Sequence, residues 1–265
     1  MSEMISSESP FRRLPIDLPR RQILYLDALR LSAEMAAIAF QRLNALLVHL
    51  SQKGAEPLGD GAVRALVDAY SVVDSAHRFR EVLRVTPGLK HNAEFELFMR
   101  RTQAVEELRH VVQHLNREVD AIAQSGRAAL GTVTWLGPPK VPGNPPTAWA
   151  LQAGTLYANQ LTFGPMIDLE STFTPGEFID VSLSTLGVAL NLSKLVAHLR
   201  AMIQSLEPSL QEYAAEKERF GSDQLFSFSL VPVNEESNLP GEVKDGTDSA
   251  QQGAAGDALP RTPER

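Results

Sequence analysis

Cysteine is absent from the 265 residues. That excludes a disulfide framework, a thiolate metal site and a cysteine nucleophile together. Long apolar runs are missing too, since none approaches the ~20 residues that a bilayer-spanning helix needs. The opening Met-Ser-Glu-Met-Ile-Ser-Ser-Glu-Ser lacks a basic stretch followed by an apolar one. No secretory signal is therefore expected, and the default expectation is a cytoplasmic protein without membrane attachment. Lysine is scarce, 6 residues against 19 arginines, a ratio that suits forked contacts to phosphate or carboxylate. A strongly basic footprint is also lacking. Of the net charge of −7, residues 234–265 contribute −4 (seven Asp/Glu against three Lys/Arg), which leaves −3 for the preceding 233 residues. Near-neutrality there argues against tight sequence-independent binding of nucleic acid. No Gly-rich phosphate loop, nucleophile elbow or dinucleotide fingerprint occurs. The closest approach, Leu58-Gly59-Asp60-Gly61, has neither a third glycine at the required distance nor a preceding strand. No cofactor is expected.

What is present is 43% hydrophobic residues, enough for a sizeable core, with apolar side chains spaced mostly for helices. Residues 1–16 are Ser-rich, carry Pro10 and Pro15, and read as a flexible lead-in. Asp17-Leu18-Pro19 looks like a helix start with Asp17 as N-cap, and Leu24, Leu31, Met35, Ile38, Leu43, Leu47 and Leu50 continue to about Ser51. A second helix opens near Asp60, and Thr86-Pro87-Gly88 stops it. The third spans Asn92 to Gln124. Asn92 is its expected N-cap, and Phe95, Phe98, Thr102, Val105, Leu108, Val112, Leu115, Val119 and Ile122 form one stripe.

Character changes at Arg127. Gly131 to Leu136, Thr147 to Gln152, Thr155 to Tyr157 and Leu161 to Phe163 read as short strands, both tryptophans among them. A fourth long helix is expected from Asp180 or Ser182, carrying Leu183, Leu186, Leu190 and Leu195 and kinked or restarted at Pro208. The expected fold is mainly α: a four-helix up-down-up-down bundle over residues 17–233, with a small antiparallel β-insert at about 127–176 between helices 3 and 4. A late strand is expected at about 225–233, and a disordered acidic tail at 234–265.

Chemistry concentrates on the outer face of the third helix. At about 100° per residue, Glu107, His110 and His114 fall within roughly 60° of one another, with Arg109 between that face and the apolar stripe. Arg109-His110-x-x-x-His114 fits an Arg-x(4–6)-His pattern with a polar residue after the Arg, and so resembles the HEPN-type ribonuclease superfamily. The resemblance implies a metal-independent endoribonuclease whose two protomers join their motifs across a homodimer interface, in stress or phage defence. RNA would be the substrate. His114 would move the proton, Arg109 would stabilise the phosphoryl charge, and His110 would assist.

Arg42 to His49 and Arg84 to His91 match the same spacing. Other readings stand beside this one: an outward helix face with ordinary surface histidines, a non-catalytic helical interaction module, and a metal-binding bundle. Glu107, His110 and His114 would be the ligands of that last reading, with Asp74-Ser75-Ala76-His77 the nearest second motif. His49 and His198 lie among apolar neighbours and read as partly buried structural residues.

Overall fold

The computed structural model describes residues 3–53, 58–89, 92–125, 128–137, 146–154, 180–221, 223–225 and 227. The chain divides into two units, Met1–Asp223 and Gln224–Arg265. In the second, Gln224, Leu225 and Ser227 are described and none lies in a strand. The remainder of the strand expected at 225–233, and the tail at 234–265, lie outside the described residues.

The first unit is mainly helical, with a small antiparallel sheet before its last helix. Its elements are α1 (Arg20–Lys53), α2 (Gly61–Val85), α3 (Ala93–Arg101), α4 (Ala104–Gln113), α5 (Leu115–Ser125), β1 (Thr132–Gly137), β2 (Thr147–Gln152), β3 (Val181–Thr185), β4 (Val188–Asn191) and α6 (Leu192–Ala214). α1 and α2 run antiparallel, because Leu50 lies against Gly61, Arg42 bonds Asp68 and Met35 meets Arg78. Their facing sides are small and branched: Ala36, Leu43, Ala65, Ala69, Val72 and Ala76 are buried. α6 packs on α1, α2 and α3, while α4 packs on α2, β3 and β4.

The expected third helix is three helices. Arg80, buried in α2, donates to the Met99 carbonyl at 2.7 Å and to the Thr102 hydroxyl, and pairs with Glu106 at 2.7 Å. The Met99 oxygen that would close the next helical turn is thereby occupied, and the Gln103 amide turns instead to Arg100 O at 3.4 Å. α3 ends there and α4 begins one turn later. Asn92 does cap α3, accepting from the Phe95 amide at 2.9 Å.

The expected start of the fourth helix is a β-hairpin. Leu183 and Leu190 satisfy a helical step, yet Val181-Ser182-Leu183-Ser184-Thr185 also alternates, and Leu183 pairs with Leu190 across the two strands. Leu186 (φ 41°) and Gly187 (φ 84°) make the two-residue turn, both in the left-handed region that a tight hairpin requires. The helix starts only at Leu192, capped by Asn191, whose side chain accepts from Lys194 N at 2.8 Å. It runs unbroken through Pro208.

The sheet order is β2-β1-β3-β4, all antiparallel. It extends from Thr132 to Asn191, beyond the insert's expected end at 176. The strands expected at 155–157 and 161–163 lie outside the described residues. Trp135 sits opposite Trp149, their rings nearly parallel at 6.1 Å, and Trp135 Nε1 donates to Ser51 Oγ at the end of α1. Gly131 lets β1 come close to β3, since a Cβ there would collide with the Ser184 carbonyl.

The lead-in expected to be flexible is part of the core. Met4, Ile5, Phe11 and Leu14 are buried, and the segment pairs with the residues after α6: Ile16 N donates to Glu218 O at 3.0 Å and Phe220 N to Leu14 O at 2.8 Å. Asp17 does not cap α1, whose first amides bond to Pro19 O. Asp17 instead holds Lys217 at 2.6 Å. Asp223 closes the clasp with two bonds, at 2.7 and 3.1 Å, to the buried Arg30.

Candidate functional site

α4 has an acidic first turn, Glu106 and Glu107, where the helix dipole favours carboxylates. Val105 and Leu108 are its buried anchors. With those fixed against α2 and the sheet, Arg109 falls beside α2, and its guanidinium settles there. Nε lies 3.3 Å from Asp74 Oδ1 and Nη1 lies 3.4 Å from His77 Nε2. A guanidinium has no acceptor, so His77 Nε2 accepts, which requires the neutral imidazole. Burial is the largest influence holding His77 below the ordinary His value of 6.5, and the Arg109 charge acts in the same sense.

Around this pair lies an open cleft of about 490 Å³, lined by Tyr70, Asp74, His77, Arg78, Glu81, Arg109 and Gln113 among others. Tyr70 donates to Leu130 O at 2.8 Å, and burial pushes its hydroxyl up to about 12. The cleft therefore offers two guanidinium groups, one neutral imidazole and two carboxylates on a wall that is part apolar. Asp74 is largely solvated, with 61% of its side chain exposed, so its ion pair with Arg109 is weak and exchangeable.

His110 and His114 lie at the end of α4. Their rings meet edge to face with centroids 4.5 Å apart. His110 is exposed and His114 half-buried. His114 occupies the joint between α4 and α5: its amide bonds His110 O at 3.1 Å, and its carbonyl accepts from Arg117 N at 2.8 Å. Of the residues picked out in the sequence, the two histidines are thus brought together, while Arg109 engages α2.

The remaining candidates separate. Glu107 accepts from Gln103 at 3.2 Å. Among the described residues no group of three His, Asp or Glu side chains is placed to hold a metal ion, so Glu107, His110 and His114 do not form the ligand set considered for a metal. Asp74 and His77, named only as a substitute metal motif, turn out to be the partners of Arg109. Arg42 bonds Asp68, and Arg84 bonds Glu81 and Glu106, both at 3.0 Å. His91 lies outside the described residues. His49 is exposed, contrary to expectation, because it continues the outward side of α1. His198 is half-buried in the groove between α3 and α6, beside Arg101, and burial lowers its pKa.

Tyr70, Arg78, Glu81 and Gln113 were missed. Asp74, Arg78 and Glu81 recur at helical steps along one side of α2, a signal present in the sequence. Which helix that side would meet is not encoded in spacing alone. No helix of the described residues is long and apolar enough to cross a membrane. Comparison with protein-family models, curated proteins and solved structures gave no significant match.

Proposed function

We propose that this protein is a HEPN-like, metal-independent endoribonuclease that works as a homodimer, with α1, α2, the α3–α5 run and α6 as the four rods of its bundle. The RNA 2′-hydroxyl attacks the adjacent phosphorus, the P–O5′ bond breaks, and a 2′,3′-cyclic phosphate and a 5′-hydroxyl result. His114 transfers the proton, with His110 beside it as auxiliary. Arg109 leaves Asp74 for the phosphoryl oxygens and stabilises the charge that develops on them. The observation that carries this reading is the adjacency of the two imidazoles at the α4–α5 joint. Arg109, on the same helix but turned towards α2, has a carboxylate partner that is solvated and replaceable.

The experiment is cleavage of a fluorescent RNA in excess EDTA by the full chain and by His114→Ala and Arg109→Ala. Each variant is expected to lose about 10²–10⁴-fold in rate. Undiminished cleavage by His114→Ala, or an absolute need for a divalent ion, refutes the proposal. A second reading, a non-catalytic helical interaction module, is favoured by one observation: Leu24, Leu31, Met35 and Ile38 stand exposed along α1.

A further inference from the structure

α1 is apolar on two opposite sides. Leu26, Leu29, Leu43 and Leu47 are buried inward. Roughly 150° round the helix, Leu24, Leu31, Met35 and Ile38 point outward and keep 60, 47, 46 and 54% of their surface exposed. Leu24, Leu31 and Ile38 repeat at seven residues, and Ala28 and Met35 fill the alternate positions. A narrow stripe at that period is the seam of a two-helix coil, and it extends roughly 21 Å from Leu24 to Ile38. A second apolar side on a helix is a surface for a partner to cover.

Charge selects the occupant. Asp27, 4.0 Å from Arg30, flanks the N-terminal part of the stripe, and Arg42, which holds Asp68 through one end of its guanidinium, flanks its C-terminal end. Of their side chains 41% and 61% are exposed and open to a second partner. A copy laid antiparallel, with its two-fold axis between Glu34 and Met35, sets Leu31 against Ile38 and Asp27 against Arg42, each twice. A parallel copy would set each charge against itself. We propose that a second copy of this chain docks antiparallel on the outer side of α1, with Leu24, Leu31, Met35 and Ile38 at the seam and reciprocal Asp27–Arg42 pairs at its ends. Arg78 connects this seam to the cleft: it lines the cleft, and its Nη1 lies 3.8 Å from Met35 Sδ. The docked copy therefore stands at the rim of the Arg109 cleft. This surface goes beyond the nuclease reading and does not rest on it.

Because the chain has no cysteine, single-cysteine variants report cleanly. Sedimentation of the full chain is expected to give a dimer mass. Leu31→Glu/Ile38→Glu, with wild-type circular dichroism, is expected to raise the dimer Kd about 30-fold or more. Under copper-phenanthroline Met35→Cys crosslinks to itself, whereas Leu24→Cys, about 30 Å from its symmetry mate, does not. A single-chain mass for the wild type overturns the proposal, as does an unchanged Kd in the double variant or crosslinking of Leu24→Cys as fast as that of Met35→Cys. A monomer that still cleaves RNA sinks the docking, and with it the homodimer of the nuclease reading, but leaves the cleavage chemistry standing. A seam dimer without cleavage sinks the nuclease alone.

Discussion

Replacing Arg80 tests what divides α3 from α4. The side chain is 3% exposed and ties α2 to Met99 O, Thr102 Oγ1 and Glu106. A hydrogen bond from a charged donor contributes about 1.5–3 kcal/mol. Glu106 loses less, under about 1 kcal/mol, because it keeps Arg84 at 3.0 Å and is itself partly solvated. Against these losses, a variant without the guanidinium no longer buries a charge. Arg80→Met, which keeps the volume of the stem, should therefore lose about 1–3 kcal/mol, and Arg80→Ala, which leaves a cavity, about 3–5 kcal/mol. Urea unfolding followed by circular dichroism resolves both, since whole domains hold only about 5–15 kcal/mol. Hydrogen exchange supplies a local signature. With Met99 O released, the Gln103 amide recovers its helical acceptor and should exchange more slowly relative to its neighbours, even as global stability falls. If Arg80→Met stays within about 0.5 kcal/mol of wild type, or Gln103 exchange is unaltered, the guanidinium is not what breaks the helix.

Two glycines at similar φ should respond differently to alanine. Gly187→Ala meets nothing and should cost about 1–2 kcal/mol of left-handed strain, whereas Gly131→Ala adds a collision with Ser184 and should cost clearly more in thermal unfolding. Equal losses would disprove the close approach of β1 to β3. His77 and His198 are both held below 6.5 by burial, so the folded chain binds fewer protons than the unfolded one. Their contribution is complete above pH 6.5 and declines as pH falls below it. His77→Gln should flatten that slope in unfolding measured across acidic pH, and an unchanged slope would contradict the assignment of His77 as neutral. Pro208 lies inside α6 and donates no amide to the helix ladder. Pro208→Ala should stabilise by about 1–2 kcal/mol, less than the intrinsic propensity difference because the unfolded chain also gains freedom, and a lowered melting temperature would refute this.

Periodicity made α1, α2 and the body of α6 legible, and alternation located β1 and β2 nearly to the residue. It failed where two periods coexist. The leucines at 183, 186 and 190 satisfy a helix, while the serines and β-branched residues between them satisfy a strand. The choice fell to the turn chemistry of Leu186-Gly187. The lead-in read as flexible from its serines and prolines, yet Ile5, Phe11 and Leu14 needed no repeat to be buried, only the surface that α1 and α6 provide. The break after α3 was invisible because its cause, Arg80, belongs to another helix. At the site, a spacing of four made the His110–His114 adjacency legible. The destination of Arg109 depended on inter-helix register, which no local pattern carries.

The clasp between the two ends of the first unit shapes its birth. Arg30 waits for Asp223, 193 positions later. Leu14 and Ile16 wait for Phe220 and Glu218. A nascent chain leaving the ribosome carries α1 and α2 long before these partners are synthesised, with apolar faces bare meanwhile. Completion is thus deferred until residues 218–223 have emerged, a topology that folds slowly and invites chaperone capture. Trimming a few residues from either end should loosen the opposite one.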